Sequence, residues 1–113
     1  MVMRGDELDP LILHADAERF FRRYPAWGRY GVSAYSAVDE LEVDAICETK
    51  LERFALVVVI QRSELDRLGI EIVPTFRSPH VTLAHERLGP LVEGLRSCEH
   101  RTIENRHHRR EGR

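Results

Sequence analysis

Seven consecutive apolar residues, Phe54, Ala55, Leu56, Val57, Val58, Val59 and Ile60, constrain this chain more than any other stretch. No polar residue alternates with them, and four carry branched β-carbons, so the segment reads as a strand covered on both faces. Such a strand needs packed layers on either side of its sheet. Only sheet-and-helix architectures supply them in a chain of 113 residues, which has room for one core.

The flanking periodicities provide those helices. From residue 14 to 24, Ala17, Phe20, Phe21 and Tyr24 recur with Leu13 at helical spacing, and Pro25 ends the run. Residues 29–38 follow as a strand. Asp39 and Glu42 then make a capping box, with Val43, Ile46, Cys47 and Leu51 as the buried stripe of a second helix. With the apolar strand this forms a βαβ unit, right-handed if its two strands are parallel neighbours. Ser63 caps a short helix that stops at Gly69. Residues 70–76 and 80–84 read as two strands joined tightly enough for a hairpin, although Pro79 suits that turn only with a cis peptide bond. A last helix begins at Pro90, with Leu88, Leu91, Val92, Leu95 and Cys98 in phase. The expected fold is α+β or α/β, a mixed sheet of about four strands with helices packed on it.

One globular domain is expected over residues 1–99, followed by a mobile basic tail over 100–113 that holds five arginines against Glu104 and Glu111. The whole chain carries a net charge of −2, so the body is acidic. No apolar run approaches the roughly 18 residues of a membrane span, and no basic region precedes an apolar leader. A cytoplasmic location without membrane contact follows as an expectation. Cys47 and Cys98 fall on apolar stripes, where reduced thiols act as small hydrophobes. Cys98, His100, His107 and His108 lack the paired spacing of a structural zinc site, so neither metal nor cofactor is expected.

The stretch most suggestive of chemistry is residues 78–86, SPHVTLAHE. Alternation along a strand puts His80, Thr82, Ala84 and Glu86 on one side, and Val81, Leu83 and His85 on the other. An imidazole beside a hydroxyl suits phosphate ester chemistry, the first exchanging a proton and the second holding a phosphoryl oxygen. Across a hairpin, Thr75 and Arg77 would join that side, and Arg77 would add a fork of donors. The same alternation equally describes a strand with one face in the core and the other in water, and that plainer reading is the commoner one.

PHVTLA resembles half of the signature of the two-histidine phosphoesterase superfamily, which includes RNA 2′,3′-cyclic phosphodiesterases. The resemblance covers six residues and implies that His80 would act as acid or base and Thr82 would hold phosphate. That family carries two His-x-Thr or His-x-Ser motifs on two similar lobes. The second literal instance in this chain, His100 to Thr102, has Arg101 where an apolar residue is expected, and it follows the first too closely for a second lobe.

Residues 19–30 gather four arginines and five of the eight aromatics. Phe20, Phe21 and Tyr24 belong to the core by periodicity. Arg19, Arg22, Arg23 and Trp27 remain for a surface that could grip phosphates and stack bases, beside the plainer reading of a solvated helix face. The acidic side of the second helix, with Asp39, Glu40, Glu42, Asp44, Glu48 and Glu52, offers a basic partner a surface. Small size, split charge and an incomplete catalytic set therefore suggest an interaction module of prokaryotic type, one component of a two-protein, toxin-antitoxin-like system. Its expected partner is a protein or RNA, with pairing of two copies left open. The alternative is a phosphoester-acting enzyme on RNA or a nucleotide that uses His80 and Thr82.

Overall fold

The computed structural model describes residues 1–5 and 8–108. Within them the chain forms six strands and four helices: β1 Val2–Gly5, α1 Pro10–Arg23, β2 Tyr30–Ser36, α2 Glu40–Thr49, β3 Leu56–Ile60, α3 Arg62–Arg67, β4 Glu71–Pro74, β5 His80–His85, α4 Leu88–Ser97 and β6 Arg101–Glu104. A single 3₁₀ turn, Pro25–Trp27, lies between α1 and β2. The strands make one sheet in the order β4-β5-β2-β1-β3-β6, and every neighbouring pair is antiparallel. No helix of the described residues is long and apolar enough to cross a membrane.

The α+β class is as expected, but the sheet has six strands rather than four and is not mixed. β1 was missed because four residues that include Arg4 and Gly5 show no apolar period. It nevertheless lies centrally, between β2 and β3. The expected βαβ unit is corrected accordingly: β2 and β3 run parallel to each other but are not neighbours. The second missed strand is β6. Within residues 100–113, read as a mobile tail, Arg101–Glu104 instead form an edge strand of the sheet, because β3 has a free ladder that they can satisfy. Residues 109–113 of that expected tail lie outside the described residues.

Alternation in β1 and β3 divides the core in two. Val2, Val58 and Ile60 join Leu13 and Ala17 of α1, Leu65 of α3, and Leu91, Val92 and Leu95 of α4 on one side of the sheet. Met3, Val57 and Val59 meet Val43, Ile46, Cys47 and Leu51 of α2 on the other. The unbroken apolar run is thus covered on both faces, as its composition requires. Both cysteines are free and buried, and burial pushes the Cys98 thiol up to about 11, which keeps it protonated.

Helix ends follow local chemistry. α1 starts four residues earlier than periodicity suggests, because Asp9 caps it (Leu11 N to Oδ1, 2.8 Å) and Pro10 takes the first-turn place. Asp39 caps α2 through Glu42 N at 2.9 Å, and Glu42 accepts from Val38 N at 2.8 Å. Gln61, rather than Ser63, precedes α3, and Gly69 adopts the left-handed φ of 70° expected of it. The β4-β5 hairpin forms as expected, and the Ser78-Pro79 bond is cis.

The acidic side of α2 is partly occupied by the chain's own C-terminal segment. Arg101 pairs with Glu40, Arg106 is bidentate on Asp44 at 2.8 and 2.9 Å, and the His107 ring lies between Asp44 and Glu48 at 3.2 and 3.3 Å. Hydrogen bonds from Arg106 and His107 hold the Asp44 carboxyl well below the usual carboxylate range. Residues 101–107, the described part of the basic segment expected to engage a partner, instead turn toward the acidic side of α2.

Candidate anion-binding cleft

α2 covers the β1-β3-β6 half of the sheet on its side. The neighbouring half presents Gly31, Ser33 and Tyr35 of β2, paired in register with Ala84, Thr82 and His80 of β5. A cleft of about 490 Å³ opens over this region. Its floor includes Gly31, Ser33, Tyr35 and Thr82, and its walls come from α1 and from the segment that follows α2.

α1 can reach this site because β1 and β2 share only two residue pairs, Val2 with Ser36 and Met3 with Tyr35. Beyond them the Arg4 guanidinium takes over from the backbone ladder: Nη1 donates to Ser33 O at 2.7 Å and Nη2 to Asp16 Oδ2 at 2.6 Å. Asp16 also faces Arg19 Nη1 at 3.3 Å. Five basic side chains, Arg4, Arg19, Arg23, Lys50 and Arg53, line the cleft among the described residues, against the single carboxylate of Asp16. Arg4 and Arg19 already engage that carboxylate. Arg23, Lys50 and Arg53 pair with no carboxylate of the described residues; Arg23 lies 5.8 Å from the Tyr24 ring and Arg53 lies 5.0 Å from that of Phe54. A chain of net charge −2 has thus concentrated positive side chains in one concavity.

Thr82 lines this cleft whereas His80 does not, and neither residue sits as a half-solvated strand would place it. Thr82 is only 1% exposed, and Ala84 beside it is wholly buried, which corrects the plainer reading of a water-facing side. The Thr75 hydroxyl links the pair, 2.9 Å from Thr82 Oγ1 and 2.8 Å from His80 Nδ1. His80 is half-buried between the Tyr35 ring at 5.4 Å and the Phe76 ring at 5.0 Å. Desolvation lowers its pKa from the ordinary 6.5, and hydrogen bonding to the Thr75 backbone opposes that shift in part.

That shift has a thermodynamic consequence. The folded chain takes up the His80 proton less readily than the unfolded chain, so stability falls as pH drops through about 6.5. The melting midpoint should therefore fall between pH 7.5 and pH 5.5, and His80→Gln should shrink that fall. An equal fall in both proteins would refute the assignment.

Of the other residues singled out in the sequence, Arg19 and Arg23 line the cleft, while Arg22 and Arg77 do not. Arg22 instead meets Glu18 on the exposed side of α1 at 3.8 Å. Trp27 and Thr75 line an adjoining hollow of about 270 Å³ with Phe20, Tyr24, Pro74 and Phe76. Arg4, Lys50, Arg53, Ser33 and Tyr35 carried no local motif, since they come from separate elements.

His100 and Thr102 lie at the opposite edge of the sheet, on or beside β6, with β3, β1 and β2 between them and β5. They are thus not brought together with His80 and Thr82. No protein-family model matches the chain, and no curated protein or solved structure matches it either.

Proposed function

We propose that this protein is a binding module for a phosphate-bearing ligand, single-stranded RNA or a nucleotide, held in the basic cleft. One observation carries the reading: five cationic side chains and one already engaged carboxylate line, among the described residues, a concavity of about 490 Å³. That volume is within the range of small-molecule sites, roughly 300 to 1,000 Å³. Phe20, Tyr24, Tyr35, Phe54 and Phe76 line the same walls, and aromatics interleaved with arginine suit unpaired bases better than a duplex. The reading keeps the RNA-facing half of the expectation raised by the sequence. It sets aside the partner-protein half, whose acidic surface the C-terminal segment partly occupies.

Fluorescence anisotropy with a labelled single-stranded oligoribonucleotide tests it. Affinity should fall as salt rises, and Arg23→Ala with Arg53→Ala should weaken binding about tenfold and flatten the logarithmic salt slope by about 1.4, or roughly 0.7 for each lost phosphate contact. Binding that ignores both salt and the double substitution would defeat the proposal.

A second reading, phosphoester cleavage, is favoured by the hydroxyl relay from Thr82 through Thr75 to His80. In the tautomer whose Nδ1–H donates to Thr75 Oγ1, Nε2 is the nitrogen free to take a proton, and desolvation favours the neutral ring a base requires. Turnover of a 2′,3′-cyclic nucleotide that disappears in His80→Ala while affinity persists would select this reading over simple binding.

A further inference from the structure

Phe76 is a bulky aromatic held where such residues rarely lie, with a left-handed φ of 56° and 77% of its surface exposed. Hydrophobic burial does not explain this arrangement. Backbone strain combined with an exposed ring is the pattern expected where a side chain is displayed for a ligand. Its place in the fold indicates what that ligand contributes.

The Phe76 ring stands 5.0 Å from the His80 ring and borders both openings on this side of the molecule, the basic cleft and the adjoining hollow. On the hollow's other side, Phe20, Tyr24 and Trp27 form a cluster of their own, with ring centroids 5.0 to 6.5 Å apart at tilted or edge-on angles. Trp27 is itself 46% exposed. Phe20 and Tyr24, like Phe76, border both openings, so the two are continuous across an aromatic boundary. No charged side chain lines the hollow among the described residues, whereas charge dominates the cleft.

We propose that the hollow bordered by Phe76 and Trp27 is a nucleobase subsite: the ligand's phosphates occupy the basic cleft while its base stacks on Phe76. The assignment rests on the phosphate-binding reading above and deepens it from phosphate-bearing ligands in general to those with an unpaired base. Stacking is tolerant of base identity because every base has a π face, so the subsite selects for a base rather than for one base. A duplex, whose bases are already stacked, cannot fill it.

Calorimetric titration with two probes of similar phosphate charge, adenosine triphosphate and inorganic tripolyphosphate, tests the assignment without divalent cations. The unsubstituted protein should bind adenosine triphosphate about tenfold more tightly. Phe76→Gly suits the backbone, since glycine adopts a positive φ without strain, so the variant should fold at least as stably as the parent. It should remove most of that preference while leaving tripolyphosphate affinity unchanged, and Phe76→Tyr should restore the preference. Equal binding of both probes by the parent would overturn the base subsite and leave the phosphate reading standing, as would equal losses for both probes in Phe76→Gly. Binding of neither probe would overturn both readings, and binding of tripolyphosphate alone would overturn the base subsite.

Discussion

Asn105→Ala should lower the stability of the domain by roughly 2 kcal/mol, because it leaves the inward Cys47 carbonyl without its donor and the Leu51 carbonyl with Phe54 N–H alone. Asn105 is 6% exposed, and its Nδ2 donates to Cys47 O at 3.2 Å and Leu51 O at 2.9 Å. These carbonyls belong to the last turn of α2 and the residues just after it, where the helix has run out of internal donors. The same side chain accepts from His107 N at 2.9 Å through Oδ1, while its backbone N–H donates to Ala55 O at 2.8 Å. One residue therefore joins the end of α2, the start of the apolar strand and the segment after β6. In a domain of this size the loss corresponds to a fall of about 10 °C in melting midpoint. Asn105→Asp should do at least as much damage despite its matching shape, since it sets a carboxylate against two carbonyl oxygens. If residues beyond 100 were a mobile tail, neither substitution would shift a thermal melt, so calorimetry on these two variants decides the matter.

Gly31→Ala should cost about 2 kcal/mol through overpacking at the floor of the cleft. A Cβ at that position would come within 2.6 Å of Thr82 Cγ2 and 2.8 Å of the Phe20 ring. The first is fixed by the buried hydroxyl relay, and the second belongs to the aromatic cluster at the cleft wall, so neither can retreat without disturbing the site. Thr82→Ser removes the nearer obstruction. The pair of substitutions should therefore be more stable than the sum of the single losses implies, with a coupling of about 0.5 to 1 kcal/mol. Gly89→Ala in α4, where nothing lies within 4 Å of the added carbon, is the control and should leave stability unchanged or raise it by up to about 1 kcal/mol. Chemical denaturation of these four variants beside the parent checks the comparison; additive losses would show that Gly31 is not closed in by Thr82.

The close approach at Gly31 also bears on the cleft. α1 lies near enough to β2 for Phe20 to press on Gly31 beside Thr82, and Asp16, Arg19 and Arg23 of the same helix line the cleft. A bulkier floor would separate these groups, so the basic lining depends on a residue that carries no charge.

How much could be read in advance follows from the range of the forces involved. Local interactions are written in local sequence. The capping box of Asp39 and Glu42, the buried stripe Val43, Ile46, Cys47 and Leu51, the left-handed stop at Gly69, and the two-sided burial of Val57 to Ile60 each depend on residues a few places apart. The α+β class followed from these alone, as did the His80 and Thr82 pairing on one side of a strand.

The sheet order, the two short strands and the cleft depend on contacts between distant residues. β1 and β6 are four residues each, too short to show a period, and become strands because β3 offers each of its edges a ladder to satisfy. Arg4 and Asp16 meet because β1 and β2 part after two pairs, and Lys50 and Arg53 face Arg23 across a concavity that no linear pattern encodes. Which segments bury which faces was legible along the chain, since hydrophobic periodicity is a property of near neighbours. Tertiary structure alone decided that basic residues from distant elements converge over a buried threonine, because that convergence comes from how the faces are brought together.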